Sequence, residues 1–241
     1  MCDSCGCGHS HPHFHSAGSD HTPPVPATRT VEVRTSALAV NQRYADENRG
    51  WFRAKGLHVF NLLSSPGSGK TALLEKTLPR LPHSAAMVGD LQTQRDAERL
   101  RNSGAQALQI TTGATCHLDA HMVAHALERL NTDGVNILFI ENVGNLVCPA
   151  SYDLGEAKRI VLLSVTEGED KPLKYPVIFQ KADLVLLTKM DLAAAVEFNR
   201  EAAVAHLRAV APNAAVLDVS SKTGEGMEAW LAWLESSAAG A

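Results

Sequence analysis

Long apolar runs are missing from this sequence. Runs such as residues 160–165 (IVLLSV) and 184–188 (LVLLT) have the length of a buried strand and fall far short of a membrane span. A basic surplus is missing too. Twenty-two Lys and Arg stand against 26 Asp and Glu, a formal net charge of -4, which argues against a general nucleic-acid binder. The first residues show no basic stretch followed by an apolar one, and nothing before Cys2 would make it a lipid-attachment cysteine. A cytoplasmic protein is expected. Cysteine is scarce after residue 7, where only Cys116 and Cys148 occur. Five cysteines so distributed read as thiols or metal ligands, not as a disulfide framework. What is present, 241 residues with 45% hydrophobic, suffices for one sizeable α/β domain.

The first fifteen residues, MCDSCGCGHSHPHFH, hold three cysteines and four histidines and almost nothing that can pack. The following SAGSDHTPPVPATRT is rich in Pro, Ser and Thr, so residues 1–30 are expected to be a disordered Cys/His-rich tail and tether. Residues 31–241 are expected to form the folded domain. They open with a helix-compatible stretch from Val31 that stops at Gly56.

From there strand-like and helix-like runs alternate without an internal repeat. LHVFNLL, AAMVGD, AQALQIT, VNILFIEN, RIVLLSV, DLVLLT and AAVLDVS are apolar strand runs. The intervening KTALLEKTLPRL, TQRDAERLRNSG and HLDAHMVAHALERLN, and the later AAAVEFNREAAVAHLRAV and GMEAWLAWLESS, read as helices. Thr93 and Asp96 are spaced as an N-cap pair, and Gly104 is a stop. Such alternation predicts an α/β fold, a mostly parallel sheet flanked by helices.

The first strand runs into SSPGSGKT and then a helix. Gly67, Ser68, Gly69, Lys70 and Thr71 therefore sit where backbone amides and a helix N-terminus can surround a diphosphate. Lys70 would reach the β and γ phosphates, and the Thr71 hydroxyl would ligate Mg²⁺. The strict phosphate-loop pattern has Gly where this chain has Ser64. Further on, TKMDL resembles the guanine-reading motif NKxD with Thr for Asn. The Asp191 carboxylate can accept from both N1–H and the exocyclic amine of guanine, and the Lys189 stem would cover the base. In VSSKTGEG, Ser221 and Lys222 fall where a second guanine-contacting loop is expected.

Two acidic strand ends, Asp90 and Glu141, are the candidates for magnesium and water. ENVG resembles the DxxG motif with Glu for Asp, placing Gly144 at the γ-phosphate. Asp96 could cap its helix or position water. No glutamine of the Ras type is evident, so slow intrinsic hydrolysis is expected. Inside the domain, Cys116, His117 and Cys148 offer a thiolate and imidazole set suited to Zn²⁺ or Ni²⁺, three ligands per chain, which two chains could complete across a dimer axis. His121 and His125 continue from His117 at i+4 steps and are expected to be a solvated stripe.

Taken in order, NLLSSPGSGKT, GDLQTQRDAER, TGATCHLDA, ENVGNLVCPASYDLGE, TKMDL and SSKTGEG resemble the HypB family of hydrogenase nickel-incorporation GTPases, of the SIMIBI class of P-loop NTPases. The MCDSCGC start is similar to the CxxCGC nickel motif of many members. The resemblance implies a GTPase using GTP and Mg²⁺ that handles Ni²⁺, with Zn²⁺ as a further metal, and that dimerises with GTP bound. It implies an interface metal site at Cys116, His117 and Cys148. The partners it implies are HypA and the nickel–iron (NiFe) hydrogenase large-subunit precursor. Cys2, Cys5 and Cys7 would supply thiolates to a square-planar Ni²⁺ site, and His9, His11, His13, His15 and His21 would hold metal more loosely. Two other functions fit the same residues: a nickel store with an incidental GTPase, and a sister GTPase serving urease or a cobalamin enzyme.

Overall fold

The computed structural model describes residues 27–91 and 94–239. Cys2, Cys5, Cys7, His9, His11, His13, His15 and His21 lie outside the described residues, as does Thr93. The first helix, α1, runs Ala27–Ala54. Gly56 ends it as expected, at φ 66°, with the Leu57 N–H returning to the Phe52 carbonyl at 2.9 Å, the bond that closes a left-handed helix terminus.

Seven strands follow among the described residues: β1 His58–Ser64, β2 Ser84–Asp90, β3 Gln106–Thr111, β4 Ile137–Glu141, β5 Lys158–Ser164, β6 Leu184–Thr188 and β7 Ala215–Val219. They form one sheet in the order β3-β2-β4-β1-β5-β6-β7, and every neighbouring pair is parallel. Central β1 is buried along its whole length, which is why it reads as a continuous apolar run instead of an alternating one. Its side chains nevertheless divide between two layers. Phe60 and Leu62 pack with Leu73, Leu74, Leu100 and Trp230 from helices α2 (Lys70–Thr77), α3 (Arg95–Asn102) and α8 (Met227–Ala239). Val59, on the opposite face, packs with Phe52 of α1 and Val123 of α4 (Ala120–Leu127). Leu63 joins Ile178, Phe179 and Leu207 beneath α6 (Pro176–Gln180) and α7 (Arg200–Val210).

Three local expectations change. The stretch 193–210 is helical only from Arg200, because Asn199 caps the Ala202 N–H at 3.0 Å and Glu197 adopts φ 55° just before it. Two short helices that the apolar pattern did not reveal, α5 (Lys171–Lys174) and α6, link β5 to β6, each with a proline in its first turn. Helix α3 begins at Arg95, after Gln94, which makes no side-chain cap, and Asp96 lies inside its first turn.

Candidate functional site

β1 sits between β4 and β5, where the chain's direction of winding reverses, so its carboxyl end opens onto the crevice in which doubly wound sheets bind ligands. The loop from Ser64 to Lys70 occupies that end. Gly69 (φ 97°) caps α2 in a left-handed conformation that a side chain would strain. Lys70 is buried, and its Nζ donates to Ser64 Oγ at 2.8 Å. The serine that departs from the strict pattern therefore holds the lysine. Burial lowers the Lys70 pKa, against the pull of Glu141, Asp96 and Glu167. Ser68 Oγ donates to Glu167 at 2.6 Å, which fixes the loop to the end of β5.

Thr71 Oγ1 donates to Glu141 Oε1 at 2.7 Å. The other carboxylate oxygen, Oε2, is buried with no hydrogen-bond partner, an arrangement that is costly for an ionised group and is relieved by a cation. Burial, helped by nearby Asp96, pushes the Glu141 pKa up to about 7 despite Lys70, Thr71 and Arg99. Asp90 ends β2, whose Val88 is level with Glu141 on neighbouring β4, and its Oδ1 accepts from the Leu91 N–H at 2.7 Å. Gly144 lies against the phosphate loop: a Cβ there would come within 2.8 Å of Pro66 Cα and 2.9 Å of its nitrogen. Only glycine allows the ENVG turn to approach so closely.

The raised Glu141 pKa gives a stability prediction. The folded chain holds a proton here up to about pH 7, whereas the unfolded carboxyl titrates near its ordinary 4.5. Between those values the folded state binds more protons, so stability falls as pH rises, and the loss is complete above the folded pKa. Between pH 6 and 8 this carboxyl should cost the ligand-free chain about 1.4 kcal/mol, a fall of roughly 3–6 °C in Tm. Thermal melts of Glu141→Gln should lack that slope. A slope equal to the parent's would assign the effect to another group.

The TKMDL and VSSKTGEG loops converge with the phosphate loop. Thr188 Oγ1 donates to the Ser68 carbonyl at 2.8 Å, tying the end of β6 to the phosphate cradle. Lys189 is left-handed at φ 58° and turns the chain into a short 3-10 helix that carries Asp191. Ser220 Oγ donates to Asp191 Oδ1 at 2.6 Å, and Lys222 Nζ lies 3.8 Å from Oδ2. Ser221 and Lys222, the residues of the expected guanine-contacting loop, lie in the turn directly after β7. The hydroxyl that touches Asp191 belongs to Ser220.

Cys116 and His117 follow β3, and Cys148 follows β4, so both segments leave the sheet at the same edge. Their ligand atoms lie within 4.8 Å of one another. The His117 ring rests on Tyr152 at 3.9 Å between centroids. Its Nδ1 is buried without a partner, and burial lowers the imidazole pKa against the influence of Asp119. A neutral imidazole beside two thiols is a donor set for a borderline-soft divalent metal. Asn142, directly after Glu141, accepts the Leu118 N–H at 3.0 Å and so joins the end of β4 to the segment after His117. The expected stripe from His117 through His125 does not exist as one helix face: Asp119 caps α4 at the Met122 N–H, which leaves His117 outside it. His121 and His125 are exposed, with their Nε2 atoms 3.1 Å apart.

The family model of the CobW/HypB/UreG nucleotide-binding domain matches residues 58–218. The hydrogenase maturation factor HypB of Azotobacter vinelandii is 54% identical over 218 residues, covering 89% of this chain and 72% of that protein. A Helicobacter pylori protein named hydrogenase/urease maturation factor HypB is 43% identical over 205 residues, covering 83% and 85%. The crystal structure of Helicobacter pylori HypB in complex with nickel has the same fold, with a TM-score of 0.79 at 43% identity over 82% of this chain and 94% of that one. Among the described residues no helix is long and apolar enough to cross a membrane.

Proposed function

Because the chain belongs to the CobW/HypB/UreG family, and within it to the HypB hydrogenase maturation factors, we propose that it is a GTP-hydrolysing nickel metallochaperone. It delivers Ni²⁺ to the nickel–iron hydrogenase large-subunit precursor and exchanges metal with HypA. The observation that carries this is the short stretch from Glu141 to Cys148. One loop holds the carboxylate beside the phosphate cradle, the Gly144 approach to Pro66 and a thiol of the metal cluster.

In the nucleotide step, Lys70 exchanges Ser64 for the β and γ phosphates, and the amides of Gly67, Ser68 and Gly69 face the phosphate chain. Thr71 and Glu141 would hold Mg²⁺, with Asp90 at the adjacent strand end. The unpartnered Glu141 Oε2 fits that cation. Bound there, the ion would supply neutralisation of the negative charge on the phosphates as water displaces GDP from the γ-phosphorus. Asp191 selects guanine, with Ser220 and Lys222 holding its carboxylate. Gly144 brings its turn close enough for its N–H to meet the γ-phosphate. That contact would fix the 141–148 loop and with it Cys148.

Cys116, His117 and Cys148 supply three donors, and a second copy of the chain, joined with GTP bound, would complete the coordination of Ni²⁺ or Zn²⁺. Metal affinity and nucleotide state are then reciprocally coupled. The test is chelator competition for Ni²⁺ on the full chain with Cys2, Cys5 and Cys7 replaced by Ser, in Mg²⁺ with a non-hydrolysable GTP analogue and then with GDP. A difference of tenfold or more, about 1.4 kcal/mol, is expected. Equal affinities would point to nickel storage with an incidental GTPase.

A further inference from the structure

Helix α1 buries an unusual stripe: Asn41, Ala45, Asn48 and Phe52, spaced four, three and four residues apart. Two carboxamides on the buried face of a helix are costly unless each polar atom is paired, and here their partners share a pattern. Asn41 Oδ1 accepts the Ala120 N–H at 2.8 Å, while its Nδ2 donates to the Asp153 carbonyl at 2.8 Å. Asn48 Nδ2 donates to the Ala120 carbonyl at 2.8 Å and to the Leu154 carbonyl at 3.1 Å. Both side chains thus bridge the same two stations, Ala120 on one side and residues 153–154 on the other.

Those stations are the far ends of the two metal-bearing segments. Ala120 is three residues past His117. Asp153 is five past Cys148 and one past Tyr152, the ring that rests on His117. The second segment is pressed onto the helix: a Cβ at Gly155 would fall 2.7 Å from the Ala45 carbonyl oxygen and 2.9 Å from the Arg49 nitrogen. Arg49 adds an ion pair to Asp153 at 2.7 Å. Among the described residues, the hydrogen bonds and ion pair of this clamp go to residues 120, 153 and 154 and not to the phosphate loop.

Taking Cys116, His117 and Cys148 as a nickel site, as proposed, we infer that Asn41 and Asn48 are its positioning residues. They set the separation between the Cys116–His117 segment and the Cys148 segment, and so the geometry that the metal meets. The clamp belongs to α1, the first described helix after the Cys/His-rich residues in sequence. Partners that only orient metal ligands are worth ten- to hundredfold in metal affinity, and the same range applies here.

The experiment uses the full chain with Cys2, Cys5 and Cys7 replaced by Ser, with NiCl₂ as the probe. Thiolate-to-nickel charge-transfer absorption then reports only Cys116 and Cys148. Asn41→Ala and Asn48→Ala are made singly, so that the remaining asparagine still holds Ala120 and the chain folds. Each is expected to weaken nickel binding tenfold or more and to shift the charge-transfer band, with GTP-analogue affinity kept within twofold of the parent. Unchanged nickel affinity and an unchanged band would overturn the assignment. Parallel losses of nickel and nucleotide affinity would do so too, since they mark general loosening. If the parent itself shows no charge-transfer band with nickel, it is the metal site that fails, and that outcome is visible before any asparagine is changed.

Discussion

Asp191→Asn is expected to lower GTP affinity by two to four orders of magnitude and to raise affinity for xanthosine triphosphate. The Asp191 carboxylate is only 12% exposed, and it is held by Ser220 Oγ at 2.6 Å and Lys222 Nζ at 3.8 Å. Its acceptor oxygens are therefore fixed before any base arrives. Guanine offers two adjacent donors, N1–H and the exocyclic amine, so a carboxylate makes two charge-assisted hydrogen bonds at once. At roughly 1.5–3 kcal/mol each, their loss amounts to about 3–6 kcal/mol, or two to four decades in Kd. An asparagine amide keeps one acceptor but turns a donor toward the guanine amine, so one contact becomes donor against donor. Xanthine carries a carbonyl at that position and suits the amide. Titration of the variant with fluorescent GTP and xanthosine triphosphate analogues reads both effects. Equal GTP affinity in parent and variant would remove Asp191 from the base site.

Most of the nucleotide side was legible in the sequence because it is local. A phosphate loop is a strand, a glycine turn and a helix start within fifteen residues, and Gly67, Gly69, Lys70 and Thr71 declare it together. Glu141 and Gly144 were legible as a strand end and its turn. The role of Ser64 was not, because it appears only as a departure from a pattern; its contact with Lys70 emerges once both are buried. The contact of Ser220 with Asp191 was not legible either, since which hydroxyl faces that carboxylate is set by the turn after β7. The asparagine clamp left no trace at all. Its partners are backbone groups 72 to 112 residues away, and backbone atoms carry no sequence signal. Helix starts moved for a related reason: Asp119 and Asn199 cap α4 and α7 at the Met122 and Ala202 N–H groups, and an apolar pattern that runs past them cannot show where the capping carboxylate or amide will fold back.

Cys148→Ala is expected to reduce nickel affinity of the domain site by more than a hundredfold and to abolish its dependence on nucleotide. The first effect follows from counting donors. Residues that merely orient ligands account for ten- to hundredfold; Cys148 is one of three ligand atoms within 4.8 Å, so its removal exceeds that range. The second effect follows from where the thiol sits. Cys116 and His117 leave β3 and are anchored at Leu118 by the Asn142 carboxamide, 3.0 Å away, and at Ala120 by α1. Cys148 lies on the loop that begins at Glu141 and passes Gly144 against Pro66. It opens a short 3-10 helix, with Asn145 Oδ1 accepting its N–H at 3.3 Å. Of the three donors, Cys148 alone shares a continuous loop with Gly144, which is proposed to meet the γ-phosphate, so it is the one that a GTP-to-GDP change would displace. The His117 and Cys116 pair would keep a weaker site whose affinity is the same in both nucleotide states. Nickel competition on the full chain with the tail cysteines replaced by Ser, with GDP and with the GTP analogue, separates the outcomes. A variant that loses affinity yet keeps a tenfold nucleotide effect would move the switch to the Cys116–His117 segment, and Asn142, which ties that segment to the end of β4, would then be the link to examine.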